Sequence, residues 1–590
     1  MNILGVCDSH EASACLFVDG EMVAACAEER LTRLKSDMGY PRRAVEFCLE
    51  FAGIEGSQLD AVAFATLEAP AAHIRIKREA TFSVRDWVDE QNLYWKRVLA
   101  GEDVSYHDLF SNNPKYIRDS HYDFSGVFGQ AGKVDHEVFR RVRAATVAQH
   151  VGIDPQKVHF IVHERCHAFY GYFGSALRED ALVFTCEGEG DYSSATVSTI
   201  APGAALHERC HTRANHLAHY YRYITLLLGM KPNQHEYKVM GLAPYASAYE
   251  IDQCMPVFAD LLEVREGNLV EKRVIPDRYF HFMEATQGLR FDGIAGALQA
   301  YLEDRLRAWT LDHVATTGIR SVVFSGGVAQ NIKAMKALRD LDEVEAVHVN
   351  PISGDGSLGV GACYGYLQQF HPEVTLKPLA NIYSGPAYGR HAVMEAIQRL
   401  RIAERFAIIE EPTAGQVATL LRDNHILARC VGRMEFGQRA LGNRSILANP
   451  SAFDNVRKIN RQIKRRDFWM PFTPTILDYR ARDYLVKPTD CPFMTMAFDS
   501  TDLARKDLVA AVHPADYTVR PQILERSANP DYYTLIAEFE ALTGIGGLLN
   551  TSLNLHGEPV VCSPDDAFHT FEHSELDAIV FDDFLITRQR

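Results

Sequence analysis

The sequence predicts an α/β protein of at least two domains. Its 590 residues exceed what one hydrophobic core accommodates, and segments rich in β-branched residues alternate with segments of helical pattern. Glycine-rich turns follow several of these strand-like segments. With 47% hydrophobic and 23% charged residues, the composition is that of an ordinary globular protein. We place the domains at residues 1–370 and 380–590.

The order of the elements supports this division. In the first domain we predict strands at 2–7, 14–18, 21–26, 61–66, 158–162, 181–186, 195–200 and 321–325, and a helix at 42–52. Residues 70–150 are rich in charged and aromatic side chains and lack a strand pattern, which indicates a helical insertion. In the second domain we predict a helix at 391–401 and strands near 426–431 and 546–549. No internal repeat is evident.

Charge and cysteine content narrow the class of protein. The formal net charge is −16, whereas binding to nucleic acid rests on Lys and Arg side chains that neutralise phosphates, so we expect no nucleic-acid partner. The twelve cysteines form no CxxC pair, which fits free thiols in a reducing cytoplasm. The amino terminus lacks the positive segment of a signal peptide, and no apolar run approaches about 20 residues. We therefore expect a cytoplasmic protein that does not span a membrane.

Two segments of the second domain indicate a site for an anionic ligand. Residues 432–445 contain three arginines and three glycines, and residues 549–559 contain an Asn-Thr-Ser cluster. Glycines allow a ligand to approach the backbone closely, and arginines offer planar forks of donors that suit phosphate or carboxylate oxygens. The alternative is an arginine-rich turn held in surface salt bridges.

The first domain carries three candidate ligand-binding segments. His10 lies in the turn after the first strand, where an imidazole can reach a ligand; the alternative is a polar turn residue. His163 and His167 are four residues apart at the start of a predicted helix, so both imidazoles lie on one face and can grip one metal ion. Residues 187–191 place acidic side chains on a turn that suits a cation or a hydroxyl-bearing ligand; the alternative is a hairpin tip.

Two glycine-rich turns of the first domain are candidates for binding a nucleotide. Gly326, Gly327 and Asn331 follow a β-branched strand, and residues 353–362 open a predicted helix. Exposed N–H groups at such turns are where nucleotides dock. Turns of this composition also occur in α/β proteins without a ligand, so the alternative is a purely structural turn.

In this order and spacing, the motifs resemble the NodU/CmcH family of O-carbamoyltransferases, which includes the nebramycin and cephamycin carbamoyltransferases. The matching pieces are Asp8-Ser-His10, Glu28-Glu-Arg30, the histidines at 163 and 167, residues 236–245, the Ser325-Gly-Gly turn, Gly354-Asp355 and both second-domain segments. The likeness covers nearly the whole chain.

The resemblance implies both a fold and a reaction. The first domain should have the actin-like ATPase or sugar-kinase fold, similar to the tRNA threonylcarbamoyl transferases, and the second a YrdC-like fold. The YrdC-like domain would form carbamoyl adenylate from carbamoyl phosphate and ATP, with Mg²⁺ accompanying the nucleotide. The first domain would transfer the carbamoyl group to a hydroxyl of a small-molecule acceptor, releasing AMP and pyrophosphate.

The resemblance also implies a metal site and a general base in the first domain. The family's iron-type site falls on His163, His167, Glu187 and Asp355, with Glu187 where relatives commonly have aspartate. Imidazole and carboxylate ligands suit Fe²⁺ or another divalent transition ion. His10 takes the position of the general base, and an imidazole with a pKa of about 6.5 is suited to deprotonating a hydroxyl during attack.

In the second domain the resemblance assigns phosphate and nucleotide binding. The residues that match these positions are Arg439, Lys464, Arg520, Asn550 and Ser552. Of these, Lys464 and Arg439 should also act in catalysis, because positive charge offsets the charge that builds up as two anions meet. Met470 stands where the family usually has arginine, so one phosphate-facing cation is missing, and Arg465 or Arg466 is the candidate substitute. Tyr237 stands where many relatives have glycine.

Two other functions remain open at this point. A tRNA-modifying threonylcarbamoyl enzyme would share both folds, but it would need a basic surface for RNA, against which the acidic balance weighs. A non-catalytic nucleotide-binding regulator would not need His10 or the two arginine-rich segments. The sequence does not identify the acceptor.

The pentapeptide His-Glu-Arg-Cys-His occurs twice, at 163–167 and at 207–211. We predict that only the first copy binds metal, because residues four apart on a helix share one face. The second copy follows a strand and a Pro-Gly turn, which predicts a returning strand. There, four residues span roughly 13 Å at about 3.3 Å per residue, too far for both imidazoles to bind one ion.

Overall fold

The computed structural model of the protein describes residues 1–588. The chain divides into two compact units, Met1–Leu379 and Ala380–Arg590. Within residues 1–588, no helix has both the length and the apolar character needed to cross a membrane.

The first unit contains two five-stranded sheets and a small hairpin. Its strands are β1 (Asn2–Cys7), β2 (Ser13–Val18), β3 (Glu21–Ala27), β4 (Ala61–Ala65), β5 (Val158–Ile161), β6 (Ala181–Cys186), β7 (Ala195–Ile200), β8 (His207–Thr212), β9 (Leu262–Arg265), β10 (Asn268–Glu271), β11 (Ser321–Ser325) and β12 (Ala346–His348). The strands predicted at 181–186, 195–200 and 321–325 are confirmed with these bounds. The β-branched composition of these segments fits the buried, pleated surface that they form.

The two sheets have the same topology. One has the order β3-β2-β1-β4-β5 and the other β8-β7-β6-β11-β12. In each, the first three strands pair antiparallel and the last two run parallel to the central strand. Two such sheets in one unit form the actin-like ATPase fold, as expected. The two sheets repeat the same strand order and directions, although the sequence shows no corresponding repeat.

Helices cover the sheets and build the insertion. They are α1 (Glu28–Thr32), α2 (Arg42–Ala52), α3 (Ala71–Arg75), α4 (Arg78–Thr81), α5 (Val84–Glu90), α6 (Lys96–Leu99), α7 (His136–Val151), α8 (His163–Phe173), α9 (Leu217–Leu227), α10 (Glu236–Leu242), α11 (Ala248–Cys254), α12 (Arg278–Ala285), α13 (Phe291–Thr317), α14 (Ile332–Arg339) and α15 (Leu358–Phe370).

The insertion between β4 and β5 contributes most of an aromatic core, to which Leu226 of α9 and Tyr279 of α12 also belong. Helices α3 to α7 lie in the insertion, and Phe82, Trp87, Tyr106 and Phe110 are buried together there. Its longest helix, α7, begins where the side chain of Asp135 accepts two backbone N–H groups of the first turn. Between β4 and β5 the described residues thus form five α-helices.

The second unit is built on one eight-stranded sheet. Its strands are β13 (Phe406–Glu410), β14 (Leu427–Cys430), β15 (Arg444–Ala448), β16 (Thr473–Leu477), β17 (Phe498–Asp499), β18 (Thr518–Val519), β19 (Gln522–Leu524), β20 (Gly547–Ser552), β21 (Ala578–Val580) and β22 (Phe584–Arg588). The sheet order is β13-β22-β21-β14-β15-β20-β16-β19, and β17 pairs with β18 separately.

The helices of the second unit are α16 (Arg390–Arg399), α17 (Ala414–Arg422), α18 (Asp454–Ile459), α19 (Ala481–Tyr484), α20 (Asp502–Asp507), α21 (Pro530–Thr543) and α22 (Pro564–Glu572). One core of this unit joins Ile446 and Leu549 of the sheet to Phe568 and Phe571 of α22. The sheet therefore places both candidate ligand-binding segments on neighbouring strands, because β15 and β20 pair antiparallel.

Candidate active site

The candidate metal ligands of the first unit lie together. His163, His167, Glu187 and Asp355 each offer one ligand atom, and these atoms are within 4.8 Å of one another. Nε2 of His163 lies 2.6 Å from Oε2 of Glu187, and Nε2 of His167 lies 2.8 Å from the same oxygen. Oδ1 of Asp355 is 3.7 and 3.6 Å from the two imidazole nitrogens. The longer side chain of Glu187 therefore reaches both histidines.

Strand ends and one close helix contact build this cluster. His163 opens α8 after β5, and Glu187 directly follows β6, so both leave the carboxyl ends of parallel strands. Asp355 lies just before α15, which packs against α8. A Cβ atom on Gly361 of α15 would lie 2.1 Å from the carbonyl oxygen of Cys166. Gly361, which we interpreted as part of a nucleotide turn, thus permits close packing of the two helices, and Gly359 of the same turn lies against the backbone of Gly5 and Val6 in β1.

Buried carboxylates fix the loops around the cluster. Asp191 accepts the backbone N–H groups of His163 at 2.8 Å and of Leu67 at 2.9 Å. The side chain of Glu164 in turn accepts the backbone N–H of Asp191 at 3.1 Å. Asp191 thereby supplies the acceptor that the first turn of α8 lacks on its own N-cap residue.

The chemistry of the cluster fits a divalent transition ion. Two imidazole nitrogens and two carboxylates are the donor set that such ions take in proteins. Nε2 of His167 is buried and makes no hydrogen bond within residues 1–588, although Glu187 is close, and Oε1 of Glu187 is also buried without a partner there. Burial lowers the pKa of His163, but the charges of Glu187 and Asp355 outweigh it and raise that pKa to about 10. The two carboxylates therefore favour the charged form of this imidazole.

His10 lies beside this cluster. It occupies the turn between β1 and β2, and Oγ of its neighbour Ser9 donates a hydrogen bond to Oδ2 of Asp355 at 3.2 Å. Its Nδ1 lies 3.1 Å from Oε1 of Glu79, a residue of α4 in the insertion. Burial lowers the pKa of His10, and the charge of Glu79 more than offsets this and raises it.

The second copy of the pentapeptide is on a strand, as predicted. His207 and His211 lie on β8, which pairs antiparallel with β7. Nδ1 of His211 lies 2.7 Å from Oε1 of Glu208, and both side chains are exposed. The four-residue spacing that brings His163 and His167 together on a helix does not do so here.

The glycine turn after β11 is shaped by its backbone. Gly326 has φ of +88°, and a Cβ atom there would lie 2.6 Å from the carbonyl oxygen of Cys186. A Cβ atom on Gly327 would have no neighbouring atom within 4 Å. The side chain of Asn331 accepts the N–H of Ala334 at 3.0 Å, capping α14, and it also pairs with Gln299. Nucleotide contact by these three residues remains a prediction.

In the second unit, Lys464 lies against the Asn-Thr-Ser segment. It ends a π-helical turn, Asn460–Lys464, and is buried. Its Nζ donates to the carbonyl oxygen and Oγ of Ser552 and to the carbonyl oxygen and Oδ1 of Asn554, the last at 2.7 Å. The side chain of Asn550 donates to the carbonyl oxygen of Ala440 at 3.1 Å, and its Oδ1 is buried with no partner within residues 1–588. The two sequence segments therefore meet.

The arginines of residues 432–445 differ in their contacts. Arg444 is buried and donates to five carbonyl oxygens, among them that of Val431 at 2.7 Å. Arg433 donates to the carbonyl oxygens of Ser384 and Gly385. Arg439 is partly exposed. The interpretation of all three arginines as ligand contacts was therefore too broad, since two of them hold the backbone.

Arg466, one of the two candidate substitutes for the arginine that the resemblance predicts at Met470, contacts the Asn-Thr-Ser segment. Met470 is 8% exposed, and Nη2 of Arg466 donates to Oγ1 of Thr551 at 3.1 Å. Arg466 thus reaches the segment that carries Asn550 and Ser552. Of the two candidate substitutes, Arg466 has this contact.

Comparison with known families decides the identity of the chain. Residues 2–364 match the family described as Carbamoyltransferase N-terminus, and residues 418–588 match Carbamoyltransferase C-terminus. The chain belongs to the carbamoyltransferase family. It is therefore a carbamoyltransferase, and each of its two structural units carries one of the family's two domains.

Two curated relatives match nearly the whole of this carbamoyltransferase, and a third matches less than half of it. Nodulation protein NolNO of Sinorhizobium fredii is 28% identical over 98% of this chain and 79% of its own. An uncharacterized protein of Methanocaldococcus jannaschii is 27% identical over 99% of both chains. Nodulation protein U of Rhizobium fredii is 34% identical over 43% of this chain and 41% of its own.

Solved structures show weaker likeness to this carbamoyltransferase. Component A of (R)-2-hydroxyglutaryl-CoA dehydratase from Acidaminococcus fermentans is 13% identical and covers 62% of this chain and 98% of its own, with a TM-score of 0.30. The ROK hexokinase from Thermus thermophilus is 14% identical and covers 62% of this chain and all of its own, with a TM-score of 0.27. The fold assignment rests on the sheet topology described above.

Sequence reasoning missed two buried contacts of the carbamoyltransferase site. One is Glu79 beside His10. The other is an ion pair in which Nε and Nη2 of Arg143 lie 2.8 and 2.7 Å from the carboxylate of Asp8, with both side chains fully buried. Both Glu79 and Arg143 come from the insertion. A lone acidic or basic residue there has no spacing that could have identified it.

Proposed function

We propose that this carbamoyltransferase is an ATP-dependent O-carbamoyltransferase. In the balanced reaction, carbamoyl phosphate, ATP, water and an alcohol give the O-carbamate, AMP, pyrophosphate and phosphate. Carbamoyl adenylate is the intermediate, formed in the second unit, for which we keep the prediction of a YrdC-like fold. The acceptor is a small molecule with a hydroxyl group.

The observation that carries this proposal is the four-residue cluster beside His10. A buried set of two imidazoles and two carboxylates lies in the unit that matches the amino-terminal domain of the family, and His10 is next to it. Such an arrangement suits a reaction in which a phosphate is held while a hydroxyl loses its proton.

In the transfer step, His10 takes the proton of the acceptor hydroxyl at Nε2, since Nδ1 is buried beside Glu79. His163, His167, Glu187 and Asp355 would hold a divalent ion, Fe²⁺ by family resemblance, which supplies a Lewis acid for the phosphate of the adenylate.

In the adenylation step, Lys464, Arg439 and Arg520 bind the phosphate oxygens of the substrates. Their charge offsets the repulsion between two anions. Mg²⁺ accompanies ATP. Asn550 and Ser552 position the ligand through neutral hydrogen bonds.

The test separates the two half-reactions. Exchange of labelled pyrophosphate into ATP, in the presence of carbamoyl phosphate, measures adenylate formation without any acceptor. Lys464→Ala should slow this exchange about 10- to 100-fold, since loss of a charge-assisted phosphate contact costs about 1.5–3 kcal/mol. His10→Asn should retain the exchange but lose carbamate formation. Absence of exchange in the wild-type protein, or loss of exchange in His10→Asn, would contradict the proposed division of labour.

A screen with the purified wild-type protein identifies the acceptor. Metabolite extracts of the source cell are incubated with the protein, carbamoyl phosphate and ATP, and mass spectrometry screens for compounds that gain one CONH group. The matched control omits carbamoyl phosphate. A compound that gains the group only in the complete mixture identifies the acceptor.

A further inference from the structure

Glu79 is a buried carboxylate held in place from several directions. It is 2% exposed. Its Oε1 accepts hydrogen bonds from Nη2 of Arg78 at 2.9 Å and from Nδ2 of Asn233 at 3.3 Å. Its backbone carbonyl accepts from Nε2 of Gln234 at 2.7 Å and from Nζ of Lys231. Both ends of the residue are therefore fixed before any substrate binds.

Glu79 lies in a network of buried charges. Arg78 is the only guanidinium in this group of contacts, and it already pairs with Glu90, which is fully buried, at 3.0 Å. It also pairs with Glu79 at 2.9 Å, and Lys231 at the carbonyl oxygen of Glu79 is a second cation near these two carboxylates. His73 accepts from Arg78, and burial lowers its pKa well below the usual value, so it adds no charge. A buried carboxylate favours a positive charge on a neighbouring titratable group.

That neighbour is the imidazole of His10. Oε1 of Glu79 lies 3.1 Å from Nδ1 of His10. Nδ1 is buried, whereas the side chain as a whole is 33% exposed, so Nε2 is the nitrogen that a ligand can reach. In histidine bases, a carboxylate on one ring nitrogen fixes the tautomer and leaves the other nitrogen to accept a proton.

We propose that Glu79 is the positioning residue for His10. It holds Nδ1 of the imidazole toward the insertion, directs Nε2 to the acceptor hydroxyl, and stabilises the imidazolium that forms when His10 takes the proton. The inference rests on the proposed function, since it deepens the assignment of His10 as general base.

Chemical modification of His10 tests this without an acceptor. Diethyl pyrocarbonate adds a carbethoxy group to neutral imidazole, and mass spectrometry of the peptide that contains His10 gives the rate as a function of pH. The charged and titratable groups that face His10 are Glu79, Arg78, His73 and Asp355. All variants are compared at equal metal content, so that the surroundings of Asp355 stay constant.

We expect the pH midpoint of His10 modification to shift when Glu79 is replaced but not when Glu90 is replaced. Glu79→Gln should lower the pH midpoint of modification by about one unit or more, because a charge within about 4 Å is removed. Glu79→Asp keeps the negative charge, so its pH midpoint should return most of the way to that of the wild type. Glu90→Gln is the matched control, because Glu90 is as buried and has the same arginine partner but does not contact His10. Its midpoint should stay near that of the wild type.

Two outcomes would overturn the inference. An unchanged midpoint in Glu79→Gln would show that the carboxylate does not act on His10. An equal shift in Glu90→Gln would show a general effect of charge in the insertion. Circular dichroism checks that each variant folds, and Glu79→Asp remains informative if Glu79→Gln does not. Failure of pyrophosphate exchange in the wild type would contradict the proposed function, and it leaves this modification test unaffected.

Discussion

Replacing each of the four histidines of the repeated pentapeptide should show which of its two copies binds metal. His163→Ala and His167→Ala should each lower metal content severely, since their Nε2 atoms lie 2.6 and 2.8 Å from one oxygen of Glu187. His207→Ala and His211→Ala should leave it unchanged, because these residues are on a strand and at the surface. The pairs share one local sequence, so each serves as the other's control.

The size of the effect follows from the ligand count. Loss of a residue that only orients a ligand lowers metal affinity about 10–100-fold, so loss of one of four direct ligands should cost at least that. An ion present at about 100 times its dissociation constant stabilises the folded protein by about 2.7 kcal/mol. Most of this increment should disappear in His163→Ala and His167→Ala and persist in the other two variants.

Two measurements check this prediction. Elemental analysis after purification gives the metal content, and thermal unfolding with and without Fe²⁺ under argon gives the stability increment. The increment is compared within each variant, so any effect of the substitution on the metal-free protein cancels. Loss of metal from His207→Ala or His211→Ala, with retention in His163→Ala, would refute the assignment.

Three further predictions follow from other contacts. Arg143→Leu leaves Asp8 buried without its guanidinium and should lower the free energy of unfolding, measured with denaturant, by about 3–5 kcal/mol. Lys377→Ala, the control, breaks an exposed ion pair and should lower it by less than about 1 kcal/mol. Equal losses in the two variants would contradict the argument from burial. Gly361→Ala should destabilise the folded protein by about 1–3 kcal/mol and lower its metal content, because the added Cβ atom pushes α15 away from α8. Unaltered metal content would show that this helix contact does not position the metal ligands. Arg466→Ala should raise the KM for carbamoyl phosphate about tenfold or more while the KM for ATP changes little, and an unaltered KM would exclude Arg466 as the substitute for the missing arginine.

The sequence predicted the elements of the first unit well where local patterns are strong. Runs such as Ala181–Cys186 are short, apolar and β-branched, and each forms a strand. The spacing of His163 and His167 was informative because helical geometry alone brings them onto one face. The strand at His207–Thr212 followed from the turn before it, although the same five residues occur in a helix elsewhere.

Features that depend on tertiary contacts could not be predicted. Most strands of the second unit are short, and their order in the sheet arises from pairing between segments far apart in the chain. Glu79 and Arg143 lie in an insertion whose path brings them to the site, and no local pattern encodes that path. Arg444 resembled a ligand contact because a buried arginine that holds carbonyl oxygens has the same glycine-rich surroundings in sequence.

The duplicated sheets give the first unit two equivalent corners. The central strand of one sheet ends in Cys7 and is followed by Asp8; that of the other ends in Cys186 and is followed by Glu187. Each half thus buries an acid at the same topological point, but Asp8 is neutralised by a guanidinium and Glu187 by a pair of imidazoles. A guanidinium, which keeps its charge at any physiological pH, holds the first acid, whereas the charge of the side chains beside the second depends on their protonation. The same topological point therefore carries a fixed ion pair in one half and belongs to the candidate metal site in the other.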